Sequence, residues 1–263
     1  MKKLALIFSF LFILIGCGGG GGNSNNKFVD ISQANLNDIL ATYKSSSYLN
    51  HYIIAYLTLP PSNYNTNDGK YDCNMGGTYS VTTKNNQKIF EYNNCKVLNV
   101  QTRVEVTFKG TIKMSNNGSH REYIDFFFNR FEDIKFSGII DHNLANGTES
   151  YKLNLSSVLA KFNNGVTVEL KDAIFEYYND KHLSTESINS TATSSKLDGY
   201  IKVETISKIK QSQKCPTSGE VKISGSKDYL YIKYRKSMNI DVYLNGDNSV
   251  ITSFNDCDDF PKY

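Results

Sequence analysis

The chain has no tryptophan, only four prolines and only four histidines in 263 residues. Each shortage excludes something. His51, His120, His142 and His182 are scattered, and no two stand at the i, i+2 or i+4 spacing by which one strand or helix offers a metal two ligands. No Cys-x-x-Cys occurs, so neither a zinc knuckle nor a redox-active dithiol is written in the chain. A nucleophile elbow is missing too, because Ser224-Gly225-Ser226 lacks the Gly-x-Ser-x-Gly frame and a following helix. No glycine loop precedes a helix to cradle phosphate. Charge of one sign is also lacking: setting aside Lys2 and Lys3 leaves 27 basic residues against 26 acidic ones. Such a balance offers no field for nucleic acid, which is not expected as a partner. Long apolar runs are absent as well. The longest, Leu4 to Ile15, has twelve residues, short of the roughly 17–25 of a membrane-spanning helix.

That run is nevertheless placed to act. Lys2 and Lys3 precede it, and Leu14-Ile15-Gly16-Cys17 closes it. A basic start, an apolar run and a small residue before the cut are the layout of an export signal over residues 1–16. The closing tetrad resembles the lipobox of bacterial lipoproteins. The resemblance implies a diacylglyceryl group on the Cys17 thiol, cleavage before Cys17 and acylation of the new amine. Several acyl chains on one residue hold a protein to a bilayer nearly irreversibly. Gly18, rather than Asp, follows the cysteine, which by analogy with the lipoprotein sorting rule implies the outer membrane. Gly18 to Gly22 and Asn23-Ser24-Asn25-Asn26 then form a polar tether with a mean reach of about 16 Å. The partner implied is the membrane, through the anchor. No cofactor is expected beyond the lipid on Cys17, and no metal ligands are assigned.

After the tether, residues 27–61 read as a helical segment. Ser32 is the expected cap, and Leu36, Ile39, Leu40 and Tyr43 fall on one helical face as far as about Ser45. Leu49 to Leu59 is apolar on nearly every side and is taken as a continuation of the helix, with a buried strand as the other possibility. The helix is expected to close one end of a β-rich domain over residues 62–263. There the pattern changes to alternation with a period of two, as in Tyr151 to Leu155, Val166 to Leu170, Tyr200 to Glu204 and Asn239 to Tyr243. Asn116-Asn117-Gly118, Asn146-Gly147, Asn163-Asn164-Gly165 and Asn245-Gly246 separate the runs with residues that accept the positive φ of tight turns. About a dozen strands result, which predicts a mainly β fold: an antiparallel sandwich or a strongly curved sheet with a short N-terminal helix.

Two stretches break the rhythm. Tyr123 to Phe131 carries consecutive aromatics and is expected to be a strand buried on both faces, or else the lining of an apolar cavity with Tyr123, Phe126, Phe128 and Phe131. Ser184 to Ser195 is so polar that it reads as an edge strand or a loop. The eighteen tyrosines follow the strand pattern, and are read as ordinary β-sheet residues rather than a sugar-stacking surface.

Four cysteines remain besides Cys17, in a chain bound for an oxidising compartment. They lie in an internal echo. Cys73-Asn-Met-Gly-Gly and Cys215-Pro-Thr-Ser-Gly each open an alternating strand, while Tyr92-Asn-Asn-Cys95 and Phe254-Asn-Asp-Cys257 each close a unit. If each unit closes on itself, the bridges are Cys73–Cys95 and Cys215–Cys257. The first unit, with the following Gly110-Thr111-Ile112, resembles a pattern in uncharacterised exported and lipid-anchored bacterial proteins, best over residues 32–114. That resemblance implies export and architecture, and no chemistry.

Little else suggests catalysis. Asp256, Asp258 and Asp259 form a solvated turn rather than an ordered calcium loop, and Asn63 to Gly69 has its acid and glycine out of frame for one. Adjacent Glu132 and Asp133 would point to opposite faces of a strand. The chain is expected to be no enzyme but a lipid-anchored cell-envelope protein that presents a binding or structural module to a protein or glycan. Its membrane face is left open. A carrier holding an apolar ligand in a concave sheet is the alternative. A hydrolase would need His142 or His182 beside a carboxylate or serine in an exposed cleft.

Overall fold

The computed structural model describes residues 27–57, 65–99, 104–129, 132–145, 147–180, 183–212, 215–236, 239–246 and 249–263. Among them the chain forms one helix, α1 (Leu36–Leu57), and fourteen strands in a single antiparallel meander, each paired with its neighbours in sequence. Of the two expected arrangements, one continuous sheet is formed rather than a sandwich, and it does not close into a barrel. The strands are β1 (Gly69–Asp72), β2 (Thr78–Lys84), β3 (Gln87–Asn99), β4 (Val104–Ser115), β5 (His120–Asn129), β6 (Asp133–Ala145) and β7 (Thr148–Lys161). They continue as β8 (Thr167–Asn179), β9 (Ser184–Ser194), β10 (Ile201–Ser212), β11 (Cys215–Ser224), β12 (Tyr229–Tyr234), β13 (Ile240–Leu244) and β14 (Val250–Phe254).

The expected helix and its extension are one element, but Ser32 is not its cap. The carbonyl of Asn35 accepts the first helical bond, from the Ile39 N–H, while the Asn35 side chain accepts the Ser32 N–H and donates to the Asp30 carbonyl. Nor does the helix close an end of the domain. It lies on the inner face of the sheet, packed against β7, β8 and β9. Leu36, Ile39, Leu40, Tyr43, Leu49 and Ile53 are buried in the main core with the inward residues of β5 to β13.

Two contacts show how far the sheet bends. The Tyr43 hydroxyl lies 2.8 Å from that of Tyr234 on β12, and the Tyr52 ring stacks on Phe128 of β5 with centroids 5.6 Å apart. In a flat sheet β5 and β12 would lie about 34 Å apart. Nine residues of helix advance only about 14 Å. The strands must therefore curl toward the helix, which fills the concave side.

Bulges supply the bend. On β5 the register slips between Tyr123 and Phe126, where Asp125 has φ 46°. The slip corrects the expectation of a strand buried on both faces. The extra residue puts Tyr123, Phe126 and Phe128 all inward, at 1%, 1% and 0% exposure, while Phe127 stays partly exposed on the outer face. Consecutive aromatics arise because a bulge interrupts the alternation, not because both faces are covered. Phe131 lies outside the described residues.

The second irregular stretch is also corrected. β9 is neither edge nor loop but an interior strand between β8 and β10. Its inward residues Ser190, Ala192 and Ser194 are buried, opposite buried Thr42, Ser45, Ser46 and Asn50 of the helix. Small side chains on both surfaces let helix and strand approach closely. Thr42 Oγ1 and Ser194 Oγ lie 3.0 Å apart, and the Tyr263 hydroxyl joins both at 3.0 and 2.9 Å.

A second, smaller core lies at the β1–β4 end, built from Cys73, Tyr79, Val81, Phe90 and Cys95. Tyr71, Tyr79, Tyr92, Phe108 and Phe126 form a ladder of rings across five strands, with successive centroids 5.1–6.0 Å apart. Cross-strand aromatic pairs of this kind stabilise a sheet where no helix covers it.

Candidate functional site

Both expected bridges are present. Cys73–Cys95 and Cys215–Cys257 have Cα–Cα separations of 5.5 and 5.8 Å. The echo has a structural meaning at the glycine four residues after each opening cysteine. A Cβ on Gly77 would sit 1.9 Å from the Asn94 carbonyl oxygen, and one on Gly219 2.6 Å from the Ile209 Cα. Each glycine, at positive φ, lets a neighbouring backbone close in. The units differ beyond that. Cys73 and Cys95 join the turn between β1 and β2 to β3, whereas Cys215 and Cys257 join β11 to the segment beyond β14.

Cys17 lies outside the described residues, as does His182. Asp256 sits in the turn after β14, where its Oδ1 accepts the Asp258 N–H at 3.0 Å. Among the described residues, one group of three ligand-type side chains falls within 4.8 Å: Cys215, Asp256 and Cys257. Its sulfurs are joined in the disulfide and offer no thiolates. Asn65 and Asn67 make a local Asx turn, the Asn67 N–H donating to Asn65 Oδ1 at 3.0 Å.

The three described histidines are brought to carboxylates. His120 Nδ1 lies 2.6 Å from Asp141, His142 Nε2 lies 3.2 Å from Glu149, and His51 Nε2 meets Glu186. The last two pairs belong to one arrangement. In the register of the sheet His142, Tyr151, Tyr177 and Glu186 stand directly opposite one another on β6, β7, β8 and β9. They form a row across four strands facing the C-terminal half of α1. His142 stacks on Tyr151 at 4.4 Å, the Tyr151 hydroxyl donates to Glu149, and His51 meets Phe175 and Tyr177 edge-on. Burial raises the Tyr177 phenol above its ordinary value, partly offset by a hydrogen bond with Ser184. His51 and His142 are each engaged by a carboxylate and a ring. The row is a polar seam at the margin of the core.

Because that row points inward, the flanking rows point outward, and a groove lies between them on the outer face. One wall is Asp141, Lys152 and Glu176, in register. The other contains Asn143, Ser150, Tyr178 and Thr185. The groove has a volume of about 370 Å³, and Lys208 of β10 also lines it. Lys152 and Glu176 pair at 3.3 Å with both side chains about half exposed. Tyr178 is 44% exposed.

Glu186 and this groove escaped the sequence reading. Glu186 shares the inward parity of Ile188, but only the pairing register shows what stands beside it. Conversely, the aromatics suggested as a cavity lining are packed. Tyr123, Phe126 and Phe136 make mutual ring contacts at 5.0–5.8 Å, and Tyr52 covers Phe128.

Compared with protein-family models, with curated proteins and with solved structures, the chain matches none.

Proposed function

We propose that this is a lipid-anchored protein of the bacterial cell envelope, held by acyl chains on Cys17, with the β-sheet body as a non-catalytic binding or structural module. The observation that carries this is the order of parts in the N-terminal 30 residues. A basic start, a twelve-residue apolar run, Leu14-Ile15-Gly16-Cys17 and a glycine tether lead directly to a segment clamped in the body. That segment begins at once: the Lys27 carbonyl accepts the Tyr200 N–H at 2.9 Å, and the Val29 carbonyl accepts the Ser226 N–H at 2.8 Å. The chain is therefore held to the body from Lys27 onward, directly after the glycine-rich run.

Two disulfides suit an oxidising compartment. No helix among the described residues is long and apolar enough to cross a membrane. Gly18 after the cysteine favours the outer membrane. The packed aromatics support a module over an apolar carrier.

The test is metabolic labelling with a fatty acid, together with membrane fractionation, of the native chain and Cys17→Ala. The native protein is expected to take up label and sediment with membranes, and the variant to do neither. A Cys17→Ala protein that still sediments would refute the anchor. Protease added to intact and to permeabilised cells then reports which face the module occupies.

A further inference from the structure

We infer that the outer-face groove across β6 to β9 is a binding site for a neutral oligosaccharide, with Tyr178 as the ring on which a sugar stacks. This rests on the body being a binding module, and not on the lipid anchor.

The geometry sets the shape of the ligand. The floor is backbone, because His142, Tyr151, Tyr177 and Glu186 turn their side chains to the other face. The groove crosses the strands, so its repeat is the 4.7–4.9 Å strand spacing. That step is close to the length of one residue in an extended sugar chain. A volume of about 370 Å³ is at the small end of ligand sites, suited to a short oligomer lying across the strands.

The lining sets the chemistry. Asp141 and Glu176 offer two carboxylates, and Lys152 and Lys208 two ammonium groups. A ligand with net charge of either sign would meet like charge along its length. An apolar one would strip water from ionised groups with nothing to replace it. Hydroxyls suit both walls, since each can donate to a carboxylate and accept from an ammonium in charge-assisted bonds. The Lys152–Glu176 pair is exposed, and such pairs contribute little by themselves, so exchanging it for hydroxyl contacts costs little.

Tyr178 adds the directional element. Its ring lines the groove from the same face and is 44% exposed, unlike the ladder tyrosines and Tyr43, Tyr52, Tyr123 and Tyr151, which serve the inner face. The negative face of an aromatic ring attracts the weakly positive C–H groups on one side of a sugar ring. Sequence alone favoured reading the tyrosines as sheet residues. For the tyrosines of the core and the ladder that stands, whereas Tyr178 is exposed on the outer face beside the groove.

The test uses the whole chain as the cell produces it, in a non-glycosidic detergent, so that the detergent head cannot compete. Neutral linear gluco-, manno- and galacto-oligosaccharides, with an oligogalacturonate as charged control, are titrated by calorimetry and by saturation-transfer NMR. At least one neutral series is expected to bind saturably, and better than the acidic control. Tyr178→Ala is expected to weaken that binding by up to roughly tenfold, while Tyr178→Phe, which keeps the ring, stays close to the native protein. Leu159→Ala, exposed on β7 outside the groove, should leave it unchanged. Tyr178 is too exposed for its loss to unfold the sheet, and an unchanged melting curve checks this. Absence of saturable neutral binding, preference for the acidic oligomer, or indifference to Tyr178→Ala would overturn the site. Such failure leaves Cys17-dependent membrane attachment untouched, since fractionation measures that separately.

Discussion

Raising the pH above about 10 should destabilise this protein through its buried phenols. Tyr43 and Tyr123 are 2% and 1% exposed. Burial raises both above the ordinary tyrosine value, Tyr43 the more strongly, and the neighbouring Tyr234 adds to its shift. Tyr234, whose ring is only partly covered, buries its hydroxyl against Tyr43 and moves in the same direction. In the unfolded chain each phenol loses its proton near pH 10, while in the fold it keeps it. Above that pH the unfolded state binds fewer protons, so stability falls as pH rises. Below it the contribution is fully present. Each such tyrosine gives a slope of at most about 1.4 kcal/mol per pH unit, reached while its phenol stays protonated in the fold. Urea denaturation between about pH 9 and about pH 11.5, followed by circular dichroism and tyrosinate absorbance, measures the slope. The Tyr43→Phe/Tyr234→Phe double variant should be near neutral at pH 7, because both partners of the buried bond go together, and should flatten the alkaline slope. Full tyrosinate absorbance near pH 10 with the native dichroism retained would refute the reasoning.

Further outcomes follow from packing and chain connectivity. Removing Cys73–Cys95 or Cys215–Cys257 by paired serine substitution should cost about 3 and about 4 kcal/mol, from loops of 22 and 42 residues. Urea midpoints of the two double variants would give the order, and an equal or reversed loss would contradict it. Gly77→Ala should lower stability by about 1–3 kcal/mol, since φ is 75° there and the new Cβ would press on the Asn94 carbonyl. A melting temperature equal to the native one would count against the close approach. Ala192→Leu should cost at least about 1–3 kcal/mol by forcing α1 away from β9. The corresponding check is the denaturation midpoint, and an unshifted value would mean that the helix is not seated on small residues.

Much of the fold was legible because it is local. Leu36, Ile39, Leu40 and Tyr43 mark the helix by spacing, and Tyr151, Leu153 and Leu155 mark an inward strand face by alternation. The disulfides were legible for another reason, a repeated signature that makes two closed units the simplest pairing. What escaped depends on register. The run around Phe126 is misread without the bulge at Asp125, since one inserted residue changes which side chains face inward. Ser32 is the expected cap, and the path of residues 30–35 instead gives the first helical bond to the Asn35 carbonyl.

By itself the sequence determined the mainly β class, the antiparallel meander, the helix, the two bridges and a balanced charge. These rest on periods and spacings that a short stretch carries within itself. The tertiary structure alone decided that the sheet curls around α1, that polar β9 lies at its centre, and that His142, Tyr151, Tyr177 and Glu186 share one row. Each of these depends on which residue of one strand stands opposite which residue of the next. A polar strand such as β9 is stable inside a sheet only because a helix with equally small residues lies on it. That condition is met by residues about 150 positions away, where no local pattern reaches.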